Sequence, residues 1–147
     1  MKLPYTPILA LYTLALSPAL WSADNSSGST KVKATVIFPA KLPSFAGQTL
    51  ELRLYGYDPF LADASADLIE KVEKPKFSHT QGKKTKLEIE IGAKGKVQPR
   101  RNYYLTTYVL NGKTRTHIGE KDGKKGLCNV ISNGQPREVK VIVRPVG

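Results

Sequence analysis

This sequence predicts an all-β domain, and three observations carry the prediction. Five or six short runs alternate apolar and polar residues with period two. Pro, Gly, Asn and Asp punctuate those runs at strand-like spacings. Only one stretch, Leu61–Ala66, has the composition of a short helical turn. Alternation means that each strand buries one face, which calls for an opposing layer. The architecture expected is a single antiparallel β-sandwich of about seven strands, Ig-like or transthyretin-like, with little or no helix.

The first strand is Lys31–Phe38. Val32, Ala34, Val36 and Phe38 share one face, Lys31, Lys33 and Thr35 the other, and Pro39 and Pro43 end it. Thr49–Tyr57 follows the turn marked by Gly47, with Leu50, Leu52 and Leu54 inside and Glu51, Arg53, Tyr55 and Tyr57 outside. Asp58-Pro59 breaks it. Asp67–Lys74 reads either as a continuation of the helical turn or as a strand, and strand is preferred. Lys86–Ile91 sets Leu87, Ile89 and Ile91 inward against Glu88 and Glu90. In Asn102–Leu110, Tyr103, Leu105, Thr107 and Val109 oppose Tyr104, Thr106, Tyr108 and Leu110, so both faces carry bulk. Asn111-Gly112 offers the positive-φ pair of a two-residue hairpin, with Lys113–Ile118 returning from it. After Asn133-Gly134 and Pro136, Arg137–Val143 is the last strand, with Val139, Val141 and Val143 on one face.

A different kind of segment precedes the domain. Met1-Lys2 leads into the apolar run Ile8–Leu20, then Trp21-Ser22-Ala23 and a polar stretch. As a helix that run covers only about 20 Å, short of a hydrocarbon core of roughly 30 Å. Residues 1–23 therefore read as a secretory signal peptide cut after Ala23, the alternative being a retained N-terminal anchor. Residues 24–30 read as a disordered polar tether and 31–147 as the domain. The expected destination is the periplasm or the extracellular space. Cys128 is the only cysteine, so an exported domain would stand on its core without an internal disulfide.

The formal net charge is +11, and Lys2 alone of the basic residues leaves with the signal. The positive residues are scattered: Lys83, Lys84, Lys94, Lys96, Lys113, Lys124 and Lys125 fall mostly in expected turns. Solvated loop tips and edge protection account for such lysines. No aromatic residues interleave them to stack bases, and export removes nucleic acid as a partner. What remains is solubility and a weak attraction to an anionic membrane surface.

The side chains with chemical capacity are few. His79, His117 and Cys128 are the soft ligands available to copper or zinc, but they lie far apart without a ligand-spacing motif. Their bland reading is separate core and surface roles, with His117 on an exposed strand face between inward-pointing Thr116 and Ile118, and Cys128 as a small buried residue. Cys128 with either histidine lacks a nucleophile elbow and an orienting third group. Glu88 and Glu90 are what any polar strand face provides. Gly119, Gly123 and Gly126, spread among lysines, read as a flexible loop and not a phosphate cradle. No cofactor is expected. The tyrosines are more informative: if their strands are neighbours, Tyr55, Tyr57, Tyr104 and Tyr108 form a binding face for a peptide or glycan. Against this stands simple covering of the sheet or packing under a loop.

Several short stretches also carry a family likeness. Val36-Ile-Phe-Pro-Ala-Lys-Leu-Pro43, Leu50-Glu-Leu-Arg-Leu54, Leu61-Ala-Asp-Ala-Ser-Ala66, Ser132-Asn-Gly134 and the closing Val139–Val146 strand occur in that order. Over roughly residues 32–146 the chain resembles the small bacterial envelope lipoproteins of the YbaY type, grouped with the YscW-like type III secretion pilotins. The resemblance implies an envelope β-sandwich without catalytic or cofactor residues. Its pilotin members assist outer-membrane targeting of a secretion-pore subunit and depend on a lipidated cysteine, which is missing near the expected cut here. The function expected is a non-enzymatic, chaperone-like or binding module whose partner is an envelope protein or glycan. A copper- or zinc-binding protein using His79, His117 and Cys128 is the alternative.

Overall fold

The computed structural model describes residues 28–147. The expected signal segment 1–23 and residues 24–27 lie outside them. Gly28–Thr30, counted with the tether in the sequence, belong to the folded unit instead. Ser29 bridges Lys96, and the Thr30 N–H donates to the Gly95 carbonyl at 3.0 Å. The buried Thr30 hydroxyl donates to the Gly92 carbonyl at 2.7 Å. A short polar stretch is ordered here because the sheet offers its donors backbone acceptors.

The described residues form eight strands: β1 (Val32–Phe38), β2 (Phe45–Tyr57), β3 (Asp67–His79), β4 (Thr85–Ile91), β5 (Asn102–Asn111), β6 (Thr114–Lys121), β7 (Cys128–Val130) and β8 (Glu138–Pro145). All join one sheet in the order β3-β2-β5-β6-β8-β1-β4, and β7 pairs with the part of β5 that β6 leaves free. The sheet curls until its edge strands β3 and β4 approach each other. The all-β expectation holds, but the shape is a nearly closed barrel more than a sandwich of two sheets. One pairing also departs from the antiparallel pattern: β1 and β8 run parallel, Lys33 opposite Glu138 through Ile37 opposite Ile142. Leu61–Ala66 takes no helix; the Leu61 N–H donates to the Asp58 carbonyl and the Ala64 N–H to that of Leu61, giving successive turns.

Curling brings the inner faces together in one core. Val36, Leu52, Ile89, Leu105 and Val141 are 5% exposed or less, all at positions the period-two pattern assigns inward. The curvature is concentrated at β-bulges, where one strand carries an extra residue and bends. Three lie between β2 and β3 and one between β5 and β6. In β3, Pro75 and Lys76 face Thr49 across one bulge, and Lys76 sits at φ 56°. An edge strand tolerates a proline there because its missing N–H breaks no ladder on the outer side. That tolerance lets β3 run on to His79, past the expected end at Lys74.

The β5–β6 hairpin shows how one residue redirects a face. Its two-residue loop is Gly112-Lys113, with Asn111 opposite Thr114 and positive φ only at Gly112, 63°. That is the requirement of a II′ turn, one residue later than the expected Asn111-Gly112 pair. Val109 then pairs with His117 and Leu110 with Arg115, leaving Thr116 as the bulged residue. Strand parity flips at the bulge. His117, expected outside, is buried beside Val109.

The apposed edges of the curled sheet are fastened at both ends. At one end the Gly92 N–H donates to a Glu70 carboxylate oxygen, linking the residue after β4 to β3. At the other, Phe77 and His79 of β3 pack on Phe38 of β1, ring centroids 4.8 and 5.8 Å apart. The tight curl leaves little room inside at Gly119, which the sequence placed in a flexible loop and which lies within β6. A Cβ there would stand 2.4 Å from Val141 Cγ1 and 2.7 Å from Thr107 Cβ. Gly119→Ala is therefore expected to cost about 1–3 kcal/mol of stability by overpacking. Urea unfolding of the folded domain measures it; an unchanged midpoint would refute the packing argument.

Candidate functional site

The outer face of β2 and β5 gathers the tyrosines. Tyr55 pairs directly with Tyr104 across the two strands, and their rings stack with centroids 5.1 Å apart. Tyr57 meets Tyr104 edge-on at 5.8 Å. Alternation puts Tyr108 on the same face, about 13 Å further along β5, opposite Glu51. There the Arg115 guanidinium lies 3.9 Å from its ring centroid, a cation–π contact. All four rings are half-buried. Each presents apolar surface to solvent while neighbours fix its orientation.

Between the two aromatic groups lies an ion pair that the sequence reading passed over. Glu51 is 4% exposed although it sits on the outer face. Arg53 holds it, with Nε 2.7 Å from one carboxylate oxygen and Nη2 donating to the other at 3.1 Å. Nη1 donates to the Tyr55 hydroxyl at 3.4 Å. The Tyr55 and Glu51 hydrogen bonds push the Arg53 pKa above its ordinary value. The signal was present in the sequence: Glu51, Arg53 and Tyr55 alternate on one face. Burial raises the pKa of Tyr104, with Tyr55, Tyr57 and Tyr108 adding to the effect. Tyr104 therefore offers a hydroxyl donor and a ring face at neutral pH, not a phenolate.

The expected soft ligands divide. His79 and His117 come together at the end of the barrel opposite Tyr57, both against Phe45, with ring centroids 5.9 and 4.8 Å from it. His79 Nε2 donates to the Leu42 carbonyl at 3.2 Å, and His117 Nδ1 lies 2.8 Å from the Thr116 hydroxyl. Cys128 is elsewhere. It pairs with Leu105 of β5, whereas His117 pairs with Val109, about 13 Å along the same strand. Among the described residues no three His, Cys, Asp or Glu side chains converge as metal ligands would. The same separation removes a Cys–His nucleophile pair. Glu88 and Glu90 face Lys33 and Lys31 in exposed ion pairs across β1 and β4, the ordinary furniture of a wet strand face.

Two measurable consequences follow from burial. Desolvation lowers the His117 pKa from its ordinary 6.5, and the nearby His79 lowers it further. The unfolded chain thus takes up this proton first as pH falls through about 6.5, so stability declines below that pH and levels off once the folded state also protonates. Thermal midpoints measured between about pH 7.5 and 5.5 should fall, and less steeply in His117→Leu. Burial likewise pushes the Cys128 thiol up to about 11, Lys121 opposing and Asp122 reinforcing the shift. Its reaction with an aromatic disulfide near neutral pH should be at least about tenfold slower in the folded domain than in urea. Equal rates would show that the thiol is accessible.

No family model and no curated protein matches this sequence. Among solved structures, the fold is similar to that of an alternative pilotin from the type II secretion system of Vibrio cholerae. The TM-score is 0.56 at 18% sequence identity, and the match covers 80% of this chain and 96% of that one. The two proteins share a pilotin-like, all-β fold.

Proposed function

We propose that this chain is an exported, non-enzymatic binding module of the bacterial cell envelope, pilotin-like in role as in fold. It holds an extended segment of an envelope protein on the outer face of β2 and β5. The observation that carries this reading is the cluster of Tyr55, Tyr57 and Tyr104, locked against one another yet open on one side. Rigid aromatic rings lose little entropy on binding and present both an apolar face and a hydroxyl, which suits them to peptide recognition. The pilotin fold of the solved neighbour supports a secretion-related role, and the YbaY-like stretches of the sequence support the envelope as the compartment. The positive surface adds weak attraction to anionic membrane and no specificity.

Affinity capture from a bacterial envelope extract tests the reading. The wild-type domain should retain a discrete partner, and Tyr104→Ala/Tyr108→Ala should retain at least about tenfold less, as the loss of central aromatic anchors does. Near-native circular dichroism and melting would show that the variant is folded. Equal capture by both proteins, or no specific capture by either, would overturn the proposal.

A further inference from the structure

We infer that the end of the barrel next to Tyr57 carries a carboxylate-binding cleft, and that it takes the C-terminal carboxylate of a peptide with an apolar last residue. The peptide as ligand rests on the proposed function above; the carboxylate rests on the cleft alone. A cavity of about 400 Å³ opens among the loops at 58–66, 92–101 and 131–137, its walls including Phe60, Val97, Arg100, Asn102, Ile131 and Asn133. Phe60 is 75% exposed, an unusual position for a large apolar ring. The Arg100 guanidinium lies over that ring, 5.5 Å from its centroid.

Charge and strain both single out this cleft. Among the described residues no carboxylate forms an ion pair with Arg100, and two carboxylates in the loops and strand around it are already engaged. Asp67 pairs with Arg101 at 2.5 Å, and Asp58 accepts the Phe60 N–H at 2.9 Å. Of the five non-glycine residues at positive φ among the described residues, three line the cavity: Arg100 at 68°, Ile131 at 71° and Asn133 at 58°. Ile131 is β-branched and centres a tight turn closed by the Ser132 N–H on the Val130 carbonyl at 2.8 Å, a strained γ-turn. Arg100 is exposed, so its unfavourable backbone gains the core nothing. Ile131 packs against the core, and Asn adopts this conformation readily. Strain at a residue such as Arg100 that takes no part in the core is the mark of a site whose geometry is used.

The rim is held in place by the Asn133 amide donating to Asn102 Oδ1 and the Ser132 hydroxyl donating to the Arg101 carbonyl, both at 2.8 Å. Asn102, Ser132 and Asn133 also border a smaller depression that includes Tyr57. The cleft is thus continuous with the tyrosine face, and a chain lying along that face would bring its end to Arg100. Arg101 also lines the cleft, but Asp67 neutralises it. One unpaired guanidinium with neutral amides then matches a monoanion, whereas a phosphate dianion would leave a charge uncompensated.

The test uses a heptapeptide library with free C-terminal carboxylates and its C-amidated twin, each captured on the immobilised domain. The wild type should prefer the free-carboxylate library by about tenfold or more, the scale of a charge-assisted hydrogen-bonded contact. Enriched peptides should end in apolar residues. Arg100→Gln should erase the preference, and Arg100→Gly should erase it while raising the melting temperature, because glycine relieves the strain. Equal capture of both libraries, a preference that survives Arg100→Gln, or no capture would overturn the carboxylate site. Tyr104→Ala/Tyr108→Ala separates the two proposals. If it abolishes capture of two equally held libraries, the tyrosine face stands and the cleft falls. If the amount of free-carboxylate library captured persists undiminished in it, the cleft stands and the tyrosine face falls.

Discussion

A single sheet with one apolar face must bury that face against itself, and every other feature of this domain answers to that constraint. No helix or second sheet covers the inner surface among the described residues. The sheet therefore curls until β3 and β4 come close, and the two edges are fastened where they approach. Thr30, Gly92 and Glu70 form the fastening at one end through hydrogen bonds between the Thr30 and Glu70 side chains and the Gly92 backbone. Phe38, Phe45, Phe77 and His79 form it at the other through ring packing. Between these ends β3 presents Lys71, Glu73, Lys74 and Pro75 along the open edge, residues that discourage pairing with another chain.

The closed interior also dictates where function can reside. A barrel of this size is filled by its own side chains, which leaves no central cavity for a substrate. The buried polar groups serve the fold: Thr30 ties the segment before β1 to Gly92 and Gly95, and His79 and His117 complete an aromatic plug. Glu51 and Glu120 are each held by an arginine on the outer face, Glu120 by Arg144 at 2.6 Å. Arginine pairing fixes the orientation of both carboxylates and so shapes the outer surface. The binding face and the cleft proposed above accordingly lie on the outer face of β2 and β5 and in the loops beyond Tyr57.

How far the sequence could be read differs between faces and neighbours. Alternation of Leu50, Leu52 and Leu54 against Glu51, Arg53 and Tyr55 declares inside and outside without reference to any other strand. The same logic failed at His117, because Thr116 is an extra residue and nothing local distinguishes a bulge from regular strand. It also missed β7, since Cys128–Val130 is too short to show a period. The tyrosine face was visible only conditionally: the four rings were identified, but their meeting required β2 and β5 to be adjacent. The cleft around Arg100 was not visible at all. Its walls come from three loops, and two of its positive-φ residues, Arg100 and Ile131, are types that do not announce that conformation.

The sequence by itself determined strand content and most of the inward set of side chains, because these follow from local alternation and residue type. Only the tertiary structure decided that one sheet closes on itself, that β1 and β8 run parallel, and that Tyr55 stacks on Tyr104 while Cys128 stays apart from both histidines. Those outcomes depend on which strands pair and in what register, and pairing is settled by how the whole apolar surface can be buried at once.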